Sequence, residues 1–468
     1  MGKTYEFFRS LKERVYGFFR GHFGGPPTER LESRVIATPE PQAAEGVPAQ
    51  RQVPRVVSTK PRVTIGVDFG TYSTKVLVHW GDEELDKAKL VRLAEPTQGY
   101  PSFVLPSDVR ISGGRLYFGR EAWSRETGDI YHGLKINLIN CAAPLEVTGG
   151  NRQASQVPPE ALVTAYFSWV LGLIRNQLDQ TFGDRAYRPY FNFAAPMNHI
   201  EDEKRKQRYL RVVTVTWNSV FREGNPLAHQ GSDAGVLDAI DLQLKAVAVP
   251  GIQERFFEVL PENLAPLVSL AQQPKMKRGM YLVVDMGAGT TELSINKFDS
   301  GKKGTPILTY WDKSVLLGAR CYVNPNDVNP TIEKLLKESI YTWGKGFDKV
   351  KGNFGETQEW RNLNILLAGG GTQHPGVRPA FLRNAGQIFI PWAGDGKAEV
   401  ETYQPEGIDY SGIDRDYFRR HSFLLAVAHG LTIDRQRWPQ FVRPFEIKPA
   451  EPTPEPPKGY NWQDDPGS

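Results

Sequence analysis

The residues best suited to chemistry lie in Tyr281-Leu-Val-Val-Asp-Met-Gly-Ala-Gly-Thr-Thr-Glu-Leu-Ser-Ile295. An apolar run ends on Asp285, three small residues and two threonines follow, and apolar then alternates with polar from Glu292 to Lys297. This pattern predicts a buried strand, a tight glycine turn and a second strand. Gly287 and Gly289, with Ala288 between them, let main-chain N–H groups crowd round an anion, and the Thr290 and Thr291 hydroxyls can donate to it as well. Asp285 would face the same anion, which makes sense only with a cation between them. Magnesium, keeping several of its own waters, suits that role.

A second copy of the design lies upstream, at Val63-Thr-Ile-Gly-Val-Asp-Phe-Gly-Thr-Tyr-Ser-Thr-Lys-Val-Leu-Val78. Again an apolar strand ends on an acid, Asp68, and a glycine, Gly70, opens a hydroxyl-rich turn through Thr71 and Tyr72 into another apolar strand. Met once, such a hairpin is common and purely structural. Two of them, far apart, suggest two related halves gripping one phosphate chain from both sides. A third glycine stretch, Asn364-Ile-Leu-Leu-Ala-Gly-Gly-Gly-Thr-Gln-His-Pro-Gly376, reads as a strand running into a triple-glycine turn that opens a helix. Glycines at such a junction admit a flat ligand or a phosphate.

The elements that must position these loops are legible in part. Pro158 to Phe182 has helical apolar spacing, with Pro159 in the first turn, and Tyr190 to Pro196 reads as a buried strand. The charged run Glu201 to Arg211 starts a helix and reads as a solvated face, because acids are interleaved with the bases. Phe256 to Ala271 mixes apolar residues with Glu258 and Glu262, either of which could reach the site. Beyond Lys302 the periodicity weakens. Pro330 to Tyr341 reads as a helix, and Arg419 to Ile433 as a small-residue helix able to pack closely.

With 468 residues, the chain suits two large lobes with tails. Its 57 Lys and Arg against 53 Asp and Glu leave a charge of only +4, which argues against a nucleic-acid partner. Cys141 and Cys321 have no metal-like spacing, and no apolar run approaches membrane-spanning length. The expected location is therefore the cytoplasm. Residues 1–23 carry Phe7, Phe8, Leu11, Val15, Phe18 and Phe19 at helical spacing, with basic residues on the other faces. Such a basic amphipathic helix could lie on an anionic membrane surface, dock in a partner's groove, or pack back on its own domain. Residues 24–60 are expected to be a flexible linker and 441–468 a disordered proline-rich tail.

The three glycine loops, in this order, resemble the phosphate-one, phosphate-two and adenosine motifs of the actin, hexokinase and heat-shock-70 ATPase superfamily, over about Pro61 to Ile433. The likeness is strongest to the nucleotide-binding domain of DnaK-type chaperones. Phe193-Ala-Ala-Pro196, Leu260-Pro-Glu-Asn-Leu-Ala-Pro266, Leu317-Gly-Ala319 and Gly119-Arg-Glu-Ala122 are similar to segments of that domain. The resemblance implies an α/β, two-lobed actin-like ATPase fold of duplicated ribonuclease-H-like domains, with the nucleotide in the cleft between lobes. Residues 61–280 would form lobe I and 281–410 lobe II, with 411–440 a helix returning to lobe I.

The same resemblance implies ATP or ADP with magnesium as the bound species. Glu262 falls on the water-positioning glutamate, Asp68 and Asp285 on the aspartates that hold magnesium through water, and Thr71 and Thr290 on phosphate contacts. Gly369, Gly370, Gly371 and Gln373 fall on the adenosine loop, where Gln373 replaces the arginine that usually stacks on adenine. Glu333 to Ser339 is the candidate adenine-pocket helix, though its spacing departs from the family. Trp123 occupies the place of the chaperones' catalytic lysine, and Lys75, seven residues after Asp68, stands where actins and sugar kinases carry a basic residue. The chaperones' peptide-binding domain has no counterpart in the sequence, so foldase activity is not implied. The expected function is an ATP-binding, slowly hydrolysing switch acting on a protein partner. A filament-forming or membrane-tethered actin-like protein is the alternative, and a small-molecule kinase the third reading.

Overall fold

The strand that carries the first aspartate shows how the body is built. In β1 (Arg62–Phe69) every residue after Arg62 is buried, so both of its faces are covered, as a central strand between helices requires. This is a computed structural model that describes residues 60–447, except 82–86, 94–100, 140–145, 150–156, 184–185, 197–199, 249–255, 274–276, 299–305, 320–327, 350–359, 385–396, 435–437 and residues 201, 361, 443 and 445. The expected helix at 1–23, the linker as far as residue 59, both cysteines and the tail beyond 447 lie outside the described residues.

Three sheets with flanking helices make a mixed α/β fold. In the first, β1 pairs antiparallel with β2 (Ser73–Trp80) and β2 with β3 (Ala88–Leu90). On its other side β1 runs parallel to β9 (Arg188–Ala195), and β9 to β11 (Phe257–Pro261). A short β17 (Ile408–Asp409) adds parallel to β3, and β4 (Val104–Pro106) antiparallel to β2. The second sheet repeats the scheme. Here β12 (Gly279–Met286) pairs antiparallel with β13 (Thr291–Phe298), β13 with β14 (Ile307–Val315), and β12 runs parallel to β15 (Asn362–Ala368) and β15 to β16 (Lys397–Thr402). Finally β18 (Phe441–Val442) lies parallel to β14 as β17 lies parallel to β3. The two six-strand paths thus agree in order and in direction.

The third sheet is antiparallel and peripheral, in the order β10 (Ser232–Asp233), β6 (Arg115–Phe118), β5 (Val109–Ser112), β7 (Asp129–His132), β8 (Glu146–Thr148). It is inserted between β4 and β9, apart from β10.

Parallel neighbours need crossovers, and helices supply them. Pro159–Phe182 precedes β9, with Pro159 at its first position, as expected. Glu203–Trp217 is started by Asp202, whose carboxylate accepts from the N–H groups of Lys204 and Arg205 at 3.0 and 3.2 Å. The helix expected at 330–341 runs over Val328–Phe347, because Trp343 and Phe347 continue its buried stripe and pack round Trp360. The single helix expected from Arg419 to Ile433 is broken into Arg415–His421, a 3₁₀ turn Ser422–Leu425 and Ala426–Thr432. The tail expected from 441 opens with β18, held by Phe441 against Trp438, ring centroids 5.8 Å apart.

Two helices join the sheets. Leu264, Leu267 and Leu270 beside and within Ala265–Ala271 pack with Tyr281, Val283 and Leu366 of the second sheet, while Ala265 and Val268 pack with Ala194 and Leu260 of the first. Ala426–Thr432 lies on Ala265–Ala271 so closely that a Cβ on Gly430 would stand 1.9 Å from the Ala265 carbonyl oxygen. A buried chain of hydrogen bonds fastens the pair, with Ser269 Oγ 2.6 Å from His429 Nδ1 and 2.5 Å from the Tyr403 hydroxyl. Burial, aided by nearby His79, pushes the His429 imidazole down to about 4, so it is neutral. No helix among the described residues is long and apolar enough to cross a membrane.

Candidate functional site

Both aspartates stand near the ends of their strands at one cleft, at the carboxyl ends of the parallel strands. In the first hairpin Gly70 turns so tightly that a Cβ there would stand 2.6 Å from the Ser73 carbonyl oxygen, and Gly70, Thr71, Tyr72 and Ser73 all face the cleft. In the second, Gly287, Ala288 and Thr290 face it. The two turns touch: a Cβ on Gly289 would lie 2.9 Å from Thr71 Cγ2. Gly289 is therefore the contact between the loops and does not line the cleft. Thr291 is also withdrawn, fully buried with its hydroxyl donating to the Leu317 carbonyl oxygen at 2.5 Å. That bond, and Ala319 N–H donating to Gly287 O at 2.9 Å, lay Leu317-Gly-Ala319 against the second turn.

The third glycine turn follows β15, in register beside Asp285. Gly369 has φ +77°, and a Cβ there would be 2.3 Å from Asp285 Oδ1, so this position demands glycine on both counts. Gly369, Gly370 and Gly371 line the cleft, whereas Gln373 is exposed and does not. Facing these glycines is an apolar wall of Phe423, Leu424, Ala426 and Val427, delivered by the break between the two helical pieces. Leu424 Cδ2 lies 3.3 Å from where a Gly370 Cβ would be. Sequence reasoning missed this wall, because it took the segment as one continuous helix.

The charged groups converge in pairs. Lys75 Nζ is 3.0 Å from Asp68 Oδ2, its cross-strand neighbour in register. Glu262 follows β11, its N–H bound to the Ala195 carbonyl oxygen at 2.9 Å, and its Oε2 is 2.5 Å from Nζ of Lys135. Lys135 is 2 % exposed, the second residue of the short helix Leu134–Ile139. Burial works to strip its proton, but Glu262, Asp68 and Glu292 together hold the ammonium above the ordinary lysine range. Burial and then the charges of Glu262 and Asp68 push Asp285 up to about 7, against the opposing pull of Lys75 and Lys135. Behind it Glu292, buried and accepting from the Ser314 hydroxyl at 2.7 Å, is pushed up to about 8, first by burial and then by Glu262.

The buried cation beside Glu262 is Lys135, a residue that the motif alignment does not single out. Trp123 is on Gly119–Ser124 beside the peripheral sheet, where its indole N–H donates to Asp108 Oδ2 at 2.7 Å, and it is absent from the cleft. The available signal was a lone lysine in the run Ile130 to Ile139, otherwise mostly apolar. The donor set suits a polyanion with a hard cation: two ammonium groups, four hydroxyls and glycine turns, with Asp68 and Asp285 at the same cleft. Among the described residues no three carboxylate, imidazole or thiol groups converge as a metal cage. No protein-family model matches the chain, and no curated protein matches it.

Proposed function

We propose that the chain is a two-lobed nucleotide switch of the actin, hexokinase and heat-shock-70 type, binding ATP with magnesium in this cleft and hydrolysing it slowly to control a protein partner. The observation that carries the reading is the repeated sheet, with its two aspartate-ended hairpins meeting turn to turn over one cleft. The cytoplasm is the proposed location, and residues 1–23 are the proposed means of reaching a membrane surface or the partner.

In this reading the Gly70 and Gly287 turns present N–H groups to the phosphates, with the Thr71 and Thr290 hydroxyls beside them. Asp68 and Asp285 would hold magnesium through its waters, which explains why two carboxylates suffice. Bound magnesium would neutralise charge developing on the phosphate oxygens. Lys75 and Lys135 supply the protein's own cations, and Glu262 is placed to accept a proton and orient water next to Lys135. The base would lie between the Gly369–Gly371 turn and the apolar wall of Phe423 and Leu424.

Titration calorimetry with ATP and ADP in magnesium buffer tests the reading. Binding by the unmodified chain that Asp285→Ala abolishes without loss of fold supports it, and no binding by the unmodified chain sinks it. Single-turnover phosphate release then separates an ATPase from a binding-only switch.

A further inference from the structure

The peripheral sheet delivers Lys135 to the cleft, and one hydrogen-bonded chain shows how. His132 ends β7, Gly133 turns the chain with φ +64°, and Lys135 follows two residues later. His132 Nδ1 lies 3.0 Å from Asp108 Oδ1 and its Nε2 2.8 Å from the Thr148 hydroxyl. A carboxylate only accepts, so Nδ1 carries a proton and donates to Asp108, while Nε2 is engaged by Thr148. Backbone pairing of β5 with β7 runs through Ile111 and Asp129 to Val109 and Tyr131 and stops there. Asp108 and His132 are the next residues in that register, so their side chains carry the pairing one step further, to the strand end from which Lys135 springs.

The other direction matters equally. Ser107, next to Asp108, donates its N–H to the Tyr72 carbonyl oxygen at 2.9 Å, and its hydroxyl is 3.0 Å from Thr74 Oγ1. The two-residue unit Ser107-Asp108 therefore ties the first phosphate-type turn to the root of Lys135, a group 2 % exposed whose ammonium meets Glu262 on the cleft side. We infer that Asp108 and His132 are positioning residues for Lys135, acting through the Gly133 turn to hold its ammonium in register with the Gly70 loop. The inference rests on the reading that the cleft binds a nucleoside triphosphate, and it assigns to the peripheral sheet a part in turnover.

The two amides isosteric with imidazole separate this role from simple support of the sheet. Asn places its amide nitrogen near Nδ1 and keeps the bond to Asp108, whereas Gln places it near Nε2 and keeps the bond to Thr148. In the full chain, His132→Gln and His132→Ala are expected to lose between about 10- and 100-fold in single-turnover rate, the scale of a small misplacement imposed from outside the chemistry. His132→Asn should stay within about threefold of the original, and ADP affinity within about threefold in all variants, as for changes that leave contacts intact. If the chain binds nucleotide without turnover, the ratio of ATP to ADP affinity is the readout, since Lys135 would meet the terminal phosphate, and the same ranking is expected. Equal losses in the Asn and Gln variants, or losses that follow melting temperature alone, overturn the inference while nucleotide binding by the unmodified chain upholds the functional reading. Absence of nucleotide binding by the unmodified chain overturns both.

Discussion

The two hairpins have one backbone design and opposite electrostatics. Seven residues after the aspartate, in the same cross-strand position, β2 carries Lys75 opposite Asp68 and β13 carries Glu292 opposite Asp285. The first pair closes as an ion pair at 3.0 Å. The second sets two buried acids side by side, pushed up to about 7 and about 8. A repeated fold therefore fixes where a side chain points and leaves its charge open. One half supplies a cation from its own hairpin, and the other depends on cations brought from elsewhere, Lys135 among them.

The sharpest way to break the difference is Lys75→Glu, which makes the first hairpin a copy of the second. With the ammonium paired to Asp68 replaced by a carboxylate, nucleotide binding should be lost outright. Removing one partner of a largely buried pair should also cost about 3 kcal/mol of stability, readable by urea unfolding. Lys135→Met attacks the other half. It should lower single-turnover hydrolysis by about 100- to 1000-fold, the effect of deleting one preorganised charge-stabilising group, with ATP binding largely kept.

Glu292→Gln sharpens the comparison through pH. Asp285 and Glu292 hold protons in the folded state well above their ordinary values of 3.8 and 4.5. The folded chain thus binds more protons than the unfolded one across that window. Their stabilising contribution is full below the ordinary values and is lost as pH rises through about 7 and about 8. The melting temperature of the nucleotide-free protein should fall by several degrees over that rise. Gln at 292 can still accept from Ser314 and should flatten the upper part of the fall. Binding of magnesium nucleotide near pH 7.5, by the same argument, should release protons, measurable as a dependence of calorimetric heat on buffer ionisation enthalpy. The smallest effect is expected of Gln373→Ala, exposed and outside the cleft, with ATP affinity changed by less than about threefold.

Local signals made the hairpins legible. Asp68, Asp285 and the glycines after them announce strand and turn within ten residues, and both turns, with Gly369 to Gly371, line one cleft. What depended on distant partners was not legible. Lys135 meets Glu262 across 127 positions of sequence, and Trp123 was matched by motif order although a whole antiparallel sheet occupies that stretch. Thr291 has the side chain of a phosphate donor, but its place in β13 turns it inward to Leu317. Strand β14 went unread because Thr309, Asp312, Lys313 and Ser314 dilute its alternation, and its partner β13 shifts register between Ile295 and Asn296. Phe423 and Leu424 reach the cleft only through a helix break that apolar spacing does not announce.

The backbone contact of Gly430 with Ala265 has a mechanical consequence. The chain passes from the first sheet to the second twice, through Ala265–Ala271 between β11 and β12 and through Ala426–Thr432 between β17 and β18, and the two passages meet backbone to backbone at Ala265 and Gly430. The two helices therefore cannot move closer there, and a change at this point is passed to both sheets at once. A Gly430→Ala substitution must push the two passages apart to admit the methyl group, so a single methyl resets the spacing of the elements that link the sheets.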